Sequence, residues 1–426
     1  MQRTANPCMP VRFRPRPPNK SPHGDFFCGP ELNRHRFGYK LEFVPGIDSC
    51  QIFYLWQMCF LSCIIQPMIN ILSLTDFRNH CACRVTTYGH RNVIITGPNG
   101  AGKTAILEAV SMLSGDRGMR GAPMGDIARF NASGGFSVFA TLADETDVCV
   151  YFNSGDTNRR ARIDGDNAPL SDLARHLRMI WLTPREDRLF VDSASERRAF
   201  FDRLVSGFDP SHSGRAARLS KLMSERAFAI KSGADTHWLN ALDSQIAGTA
   251  VAVSAARIQY AGELNYFLAR CAVSVSGMIE QMLIDGHSAG DCERAYMEYL
   301  TNNRELIGDK MVVDGPHKSD FGVFNNELNL PAHLTSTGQQ KTVLLELILA
   351  HAKLLHVKTG TRPLILLDEA AAHLDTTARQ RLFTELGLCD AQVWATGLDP
   401  DVFRDVPDAV FVACTDGEIS NILHTE

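Results

Sequence analysis

One stretch restricts this chain more than any other: Val93-Ile94-Ile95-Thr96 running into Gly97-Pro98-Asn99-Gly100-Ala101-Gly102-Lys103-Thr104. The β-branched apolar run predicts a short buried strand. The glycine segment satisfies GxxxxGK[ST], and beyond it Ile106, Ala109, Val110 and Leu113 mark one face of a helix. Strand, glycine loop and helix in that order belong to an α/β fold. Glycines permit positive φ and let backbone N–H groups approach phosphate, and the helix start adds partial positive charge. Lys103 would neutralise β- and γ-phosphates, and the Thr104 hydroxyl would ligate Mg²⁺.

Two further segments fit around that loop. Leu364-Ile365-Leu366-Leu367-Asp368-Glu369 predicts a fully buried strand with two carboxylates at its end, where ligands of open α/β sheets bind. Alone, such a run is a strand meeting its loop. Beside the glycine loop, Asp368 would hold Mg²⁺, directly or through water, and Glu369 would polarise the attacking water, with Lys103 completing the catalytic set. Ahead of it, Ser336, Thr337, Gly338 and Gln339 precede an apolar helix from Lys341 through Ala350. Ser336 is a plausible helix cap, and the same uncharged turn would present a second anion-binding helix end. Asp375 is an N-cap for a helix from Thr376 to Leu386, closed by Gly387.

With 426 residues, 45% apolar and 21% charged, the chain can bury a sizeable core in two or three domains, or in one with an insertion. A net charge of −5 leaves nucleic-acid binding to a local basic surface. Residues 156–226 hold 14 basic and 11 acidic side chains. Arg159, Arg160, Arg162, Arg197, Arg198 and Arg203 are the candidates for DNA phosphates, because a guanidinium grips phosphate with two parallel bonds. For any single one, a solvated mixed-charge surface is the better explanation. The twelve cysteines form no CxxC pair, which fits a reducing, cytoplasmic setting. His80, Cys81, Cys83 and His90 offer the side chains of a metal site, but Cys81 and Cys83 would share one strand face as core cysteines do, which is the favoured reading. Residues 1–67 carry five of those cysteines and a Pro/Arg run, without a pattern able to build a core. They read as an unassigned extension, disordered or preceding a true start near Met68. The apolar run Ile52 to Ile65 is shorter than the roughly 20 residues of a membrane helix.

The turn Ser336-Thr337-Gly338-Gln339 resembles the signature of ABC ATPases, which have Ser-Gly-Gly-Gln there, and Ala372-His373-Leu374-Asp375 resembles their D-loop. Thr396 stands where ABC transporters carry a switch histidine. The interval from Lys103 to Gly338 is longer than transporter subunits use and far shorter than a coiled-coil SMC protein needs. The chain specifically resembles the RecF family of ABC/SMC-type ATPases. The likeness lies in Leu74-Thr75-Asp76-Phe77-Arg78-Asn79, Trp181-Leu182-Thr183-Pro184, Arg197 to Leu204, Gly315-Pro316-His317-Lys318-Ser319-Asp320 and Ser336 to Lys341.

The resemblance implies an ABC/SMC-like P-loop ATPase head, 68–190 and 310–426, with an inserted mainly helical lobe, 191–309, and no long coiled coil. It implies ATP and Mg²⁺ as cofactors and weak hydrolysis used as a switch. It also implies an ATP-dependent homodimer in which Ser336, Thr337, Gly338 and Gln339 act in trans. Its substrate would be double-stranded and gapped DNA, its partners RecR, RecO and RecA, and its setting recombinational repair, replication restart and the SOS response, without a membrane. His317 and Lys318 would sense nucleotide, join lobes or cap their loop. Competing readings are a transporter nucleotide-binding subunit, which needs a membrane-coupling surface, and a nucleotide-gated interaction protein without turnover.

Overall fold

The strand Val93 to Thr96 lies at the centre of a sheet whose two faces each carry a different core. The computed structural model describes residues 68–422 apart from 116, 131, 133–134, 305–312, 371–373, 375 and 389–390. The segment 1–67 and Asp375 therefore lie outside the described residues.

The central sheet has the order β15-β14-β3-β13-β12-β8, where β3 is Asn92–Thr96, β8 Met179–Leu182, β12 Leu364–Leu367, β13 Gln392–Gly397, β14 Ala409–Thr415 and β15 Glu418–Ile422. All neighbours pair in parallel except β14 with β15. Parallel sheets are covered on both sides, so their strands are apolar on both faces. Here β3 and β12 are buried at every position. Alternation sends Val93, Ile95, Leu364 and Leu366 into one core and Ile94, Ile365 and Leu367 into the other.

On the first face lies α1, Lys103–Met112, roofed by an antiparallel sheet of order β2-β1-β4-β5-β6-β7. Its strands are β1 Ile69–Phe77, β2 His80–Thr86, β4 Gly135–Leu142, β5 Asp147–Asn153, β6 Arg160–Ile163 and β7 Asp166–Ala168. The short helices α2, Met124–Ile127, and α3, Leu170–His176, pack into this first core. The sequence predicted one apolar face for α1. Sandwiched between two sheets, the helix is instead buried all round from Ala105 to Met112. Its Glu108, 1% exposed, accepts both Nε and Nη2 of Arg78 at 2.9 and 2.6 Å, the geometry a buried carboxylate requires. Buried Gln392 ties the two sheets, accepting from the Ile69 amide at 2.9 Å and donating to its carbonyl at 3.0 Å.

The strand β2 corrects the reading of its cysteines. Cys83 is buried and Cys81 exposed, because strand alternation fails at the hairpin end beside the Arg78–Asn79 turn, where Asp76 and Arg78 take positive φ. His80 puts its ring nitrogens against backbone carbonyls, and His90 bonds Asp408 at 2.9 Å.

The second face is covered by α4, Ala194–Phe208, α9, Thr337–Thr359, and α10, Thr376–Leu388. Helix α10 runs past Gly387, where a stop was predicted. A Cβ there would come within 3.3 Å of Pro407 Cγ, so the glycine admits a neighbouring loop rather than ending the helix. Between α4 and α9 the chain forms α5 His212–Lys231, α6 Thr236–Asn265, β9 Cys271–Ser276, α7 Met278–Ile284, α8 Ala289–Asn302, β10 Asp320–Asn325 and β11 Leu330–Pro331. The three strands form a separate sheet, β11-β10-β9. Leu219, Leu222, Leu242, Ile246, Ile279 and Tyr296 from α5 to α8 make a third core. Helix α6 spans two cores: Ile246 and Ala250 belong to the third, Tyr260 and Leu264 to that under α9. In the latter, Tyr260 bonds His351 at 2.5 Å, and burial pushes the His351 imidazole down to about 3. Among the described residues no helix is long and apolar enough to cross a membrane.

Candidate nucleotide site

The parallel register brings the carboxyl ends of β3, β12 and β13 together: Leu367 pairs Ala395, and Thr96 pairs Gly397. That alignment gathers residues far apart in sequence, at the edge where α/β sheets bind ligands.

The glycine loop leaves β3 under steric compulsion. A Cβ on Gly97, whose φ is 151°, would lie 2.0 Å from the Cys414 carbonyl oxygen. One on Gly102, φ 110°, would lie 2.6 Å from His80 Nε2. The loop is braced from behind: the Ala101 carbonyl accepts from Asn79 Nδ2 at 3.1 Å, Cys414 Sγ at 3.1 Å and the Gly417 amide at 3.0 Å. Burial pushes the Cys414 thiol up despite the opposing pull of Lys103. His80, fully buried, reaches the Gly417 carbonyl at 2.7 Å and the Gly102 carbonyl at 3.1 Å. Lys103 Nζ curls over the loop and donates to the Gly97 and Pro98 carbonyls at 2.8 and 2.9 Å.

Asp368, 6% exposed at the end of β12, accepts from Thr104 Oγ1 at 3.0 Å and from Thr396 Oγ1 at 2.7 Å. Thr396 Oγ1 in turn accepts from the Glu369 amide at 3.0 Å. Its single proton is thus committed to Asp368. Glu369 has φ 52°, a conformation uncommon for a side-chain-bearing residue and typical of functional turns. Its carbonyl accepts from Lys341 Nζ at 3.2 Å. The sequence places Thr396 only at the switch-histidine position, and its bridge from Asp368 to the Glu369 amide is new; Lys341 has no place assigned from sequence, because a lysine in a helix carries no sequence signature.

A cleft of about 460 Å³ lies over the loop, lined among others by Arg78, Asn79, Gly102, Lys103, Thr104 and Glu369. A second, about 400 Å³, is lined among others by Thr104, Arg120, Thr183, Arg185, Asp368 and Glu369. The two share Thr104, Arg120 and Glu369. None of residues 336–339 lines either cleft. Ser336, Thr337 and Gln339 are exposed and Gly338 is half-buried at the tip of α9. Ser336 Oγ accepts from the Gln339 amide at 3.4 Å, while Gln339 Oε1 accepts from the Ser336 amide at 3.0 Å, a reciprocal cap.

The candidate DNA arginines divide. Arg197 grips both oxygens of Asp320 at 2.8 and 2.7 Å, and Arg198 donates to the Ser319 carbonyl at 2.7 Å. Arg203 bonds Glu186 at 3.2 Å, and buried Arg159 donates to the Gly115 carbonyl at 2.7 Å. Arg160 pairs Asp156 on the surface, and Arg162 lies 4.9 Å over the Tyr151 ring. His317 bonds the Val313 carbonyl at 2.9 Å and Lys318 bonds Asp314 at 2.8 Å, so both fasten their own loop.

The model of the RecF/RecN/SMC N terminal domain matches residues 68–421. The chain is 38% identical over 367 residues to the DNA replication and repair protein RecF of Rhizobium leguminosarum bv. trifolii (strain WSM2304), covering 82% of this chain and 98% of that one. This chain belongs to the RecF family. The RecF of Rhizobium rhizogenes (strain K84 / ATCC BAA-868) is 39% identical over 352 residues, 79% of this chain and 93% of its own. The solved structure of the recombination mediator protein RecF-ATP in the RecFOR pathway has the same fold, with a TM-score of 0.71 at 20% identity over 84% of this chain and 99% of that one. RecF membership covers the part of the chain that carries the cleft and the α9 tip.

Proposed function

We propose that this chain is an ATP-gated, DNA-binding ATPase of recombinational repair, acting as a homodimer that closes on duplex DNA near gaps. One observation carries the reading. The cleft has a phosphate loop and acidic residues but no contribution from residues 336–339, whose helix tip faces solvent. A second copy could therefore lay that tip on a triphosphate held by the first.

Within one subunit, the amides of Gly97 to Thr104 would wrap the phosphates. Lys103 would exchange the Gly97 and Pro98 carbonyls for β- and γ-phosphate oxygens, a stronger charge-assisted pairing. Thr104 and Asp368 are hard oxygen donors 3.0 Å apart, a fit for Mg²⁺, which would offset phosphate charge when bound. Glu369 would orient and deprotonate the attacking water. Thr396 holds the Asp368–Glu369 turn, which suits slow turnover used as a switch. Ser336, Thr337, Gly338 and Gln339 of the partner would complete the site, and Asp375 would act as the D-loop carboxylate.

The second lobe of the proposal is the helical unit on the third core, within 191–309, and the head spans 68–190 and 310–426. Arg160 and Arg162 are the arginines best placed for DNA backbone. Arg159, Arg197, Arg198 and Arg203 already serve internal carbonyls or carboxylates and would contact DNA only by sharing or exchanging them. RecR, RecO and RecA, as partners in RecA loading and the SOS response, rest on the family likeness alone.

The test is duplex affinity of the Glu369→Gln variant, with and without ATP, across a salt series, alongside sedimentation of the protein alone. The expected result is an ATP-dependent dimer whose DNA affinity falls steeply with salt. A monomer at saturating ATP sinks the composite site; ATP-independent, salt-insensitive binding sinks the clamp.

A further inference from the structure

The 460 Å³ cleft over the phosphate loop is also lined by Asp126, Ala128 and Phe130. Phe130 is 87% exposed, an unusual position for a phenyl ring beside a polar cleft. The backbone leading to it is firmly held. Phe77 and Ala128 form an antiparallel bridge, the Arg78 amide donates to the Ile127 carbonyl at 2.8 Å, and the Arg129 amide to the Asp76 carbonyl at 2.8 Å. Arg129 Nε adds a bond to Asp76 at 2.7 Å, and Arg78 Nη1 donates to the Asp126 carbonyl at 2.6 Å. A rigid support thus presents an uncovered aromatic face into the same cleft as Lys103.

We propose that Phe130 is the base platform of this site, with the purine of the nucleotide stacked on its ring while the triphosphate lies in the Gly97–Thr104 loop. The inference rests on the nucleotide reading above and deepens it. With phosphates on Gly102 and Lys103, the nucleoside must lie elsewhere in the same cleft, and Phe130 is the exposed aromatic surface among the residues that line it. Base–aromatic stacking is indifferent to base identity, since every base has a π-face. Phe130 accordingly contributes affinity for nucleotide over bare polyphosphate, and Asp126 beside it offers an acceptor to an exocyclic amino group.

Calorimetric titration of the full chain with ATP and with inorganic tripolyphosphate, each with Mg²⁺, tests this. Phe130→Ala should weaken ATP about tenfold and leave tripolyphosphate within about twofold, and Phe130→Tyr should restore ATP binding. A Phe130→Trp variant should show indole emission changed by ATP and unchanged by tripolyphosphate. Equal losses for both ligands would mark a structural role and overturn the proposal. So would unaltered ATP binding with weakened dimerisation or DNA binding, which would assign the ring to a macromolecular surface. Failure of the nucleotide reading itself looks different: Lys103→Ala would then leave both ligands bound as before.

Discussion

Two helix starts in this protein are suited to phosphate, and they are prepared in opposite ways. Helix α1 begins at Gly102, φ 110°, with no side-chain cap. Helix α9 begins at Ser336 with a complete capping box. Neither has an acidic residue in its first turn that would compete with an anion. The uncapped end is embedded between sheets, and its loop is held by Asn79, His80 and Cys414. The capped end stands in solvent with its donors partly self-satisfied. On the proposed reading, identical dipole physics would give a permanent phosphate seat and a conditional one, since a ligand at α9 must displace or share the Ser336–Gln339 bonds.

The comparison breaks at its strong end if Lys103→Ala still binds nucleotide. We expect calorimetry to show affinity reduced by at least about a hundredfold, through loss of a charge-assisted contact. Next in size, Glu369→Gln should slow phosphate release by about a hundredfold or more while ATP binding persists. Unchanged turnover would remove Glu369 as the base. Thr396→Val should lower kcat about tenfold, leave the Kd for ATP within about twofold, and recover in Thr396→Ser, since an unfixed Asp368–Glu369 turn affects positioning and not binding. Equal effects on kcat and Kd would make Thr396 a ligand instead.

The conditional end gives smaller effects. Ser336→Ala should cost about 1 kcal/mol of helix stability in chemical unfolding and weaken ATP-dependent dimerisation. Ser336→Asp should keep the cap and still lose the dimer, because its charge faces phosphate. A dimer that survives Ser336→Asp would confine Ser336 to capping. Smallest of all, Gln339→Ala should remove one bond of the box, shift stability by a few tenths of a kcal/mol, and weaken dimerisation, followed by sedimentation, less than Ser336→Asp does.

Much of the head was legible beforehand, for identifiable reasons. The runs Val93 to Thr96 and Leu364 to Leu367 announced buried strands because parallel strands covered on both sides need apolar residues at every position. Gly97 and Gly102 were legible because no other residue fits where the Cys414 carbonyl and His80 press against them. What periodicity misjudged was environment: α1 showed one apolar face yet is enclosed by two layers, and Cys81 lies at a hairpin end where strand parity stops predicting cover. The six candidate arginines were drawn from charge alone, and charge does not reveal that Arg197 has Asp320 more than a hundred residues away as its partner.

By itself, then, the amino-acid order determined the local chemistry: a glycine loop that must bend, a strand that must be buried, a serine that caps a helix. Those outcomes depend on neighbours within a few residues, which the chain supplies directly. Tertiary structure alone decided that Thr396 bridges Asp368 to the Glu369 amide, that His80 supports Gly102, and that the tip of α9 stands clear of the cleft in its own chain. These are contacts between segments separated by up to hundreds of residues, set by strand register and layer packing, and no short-range pattern encodes them.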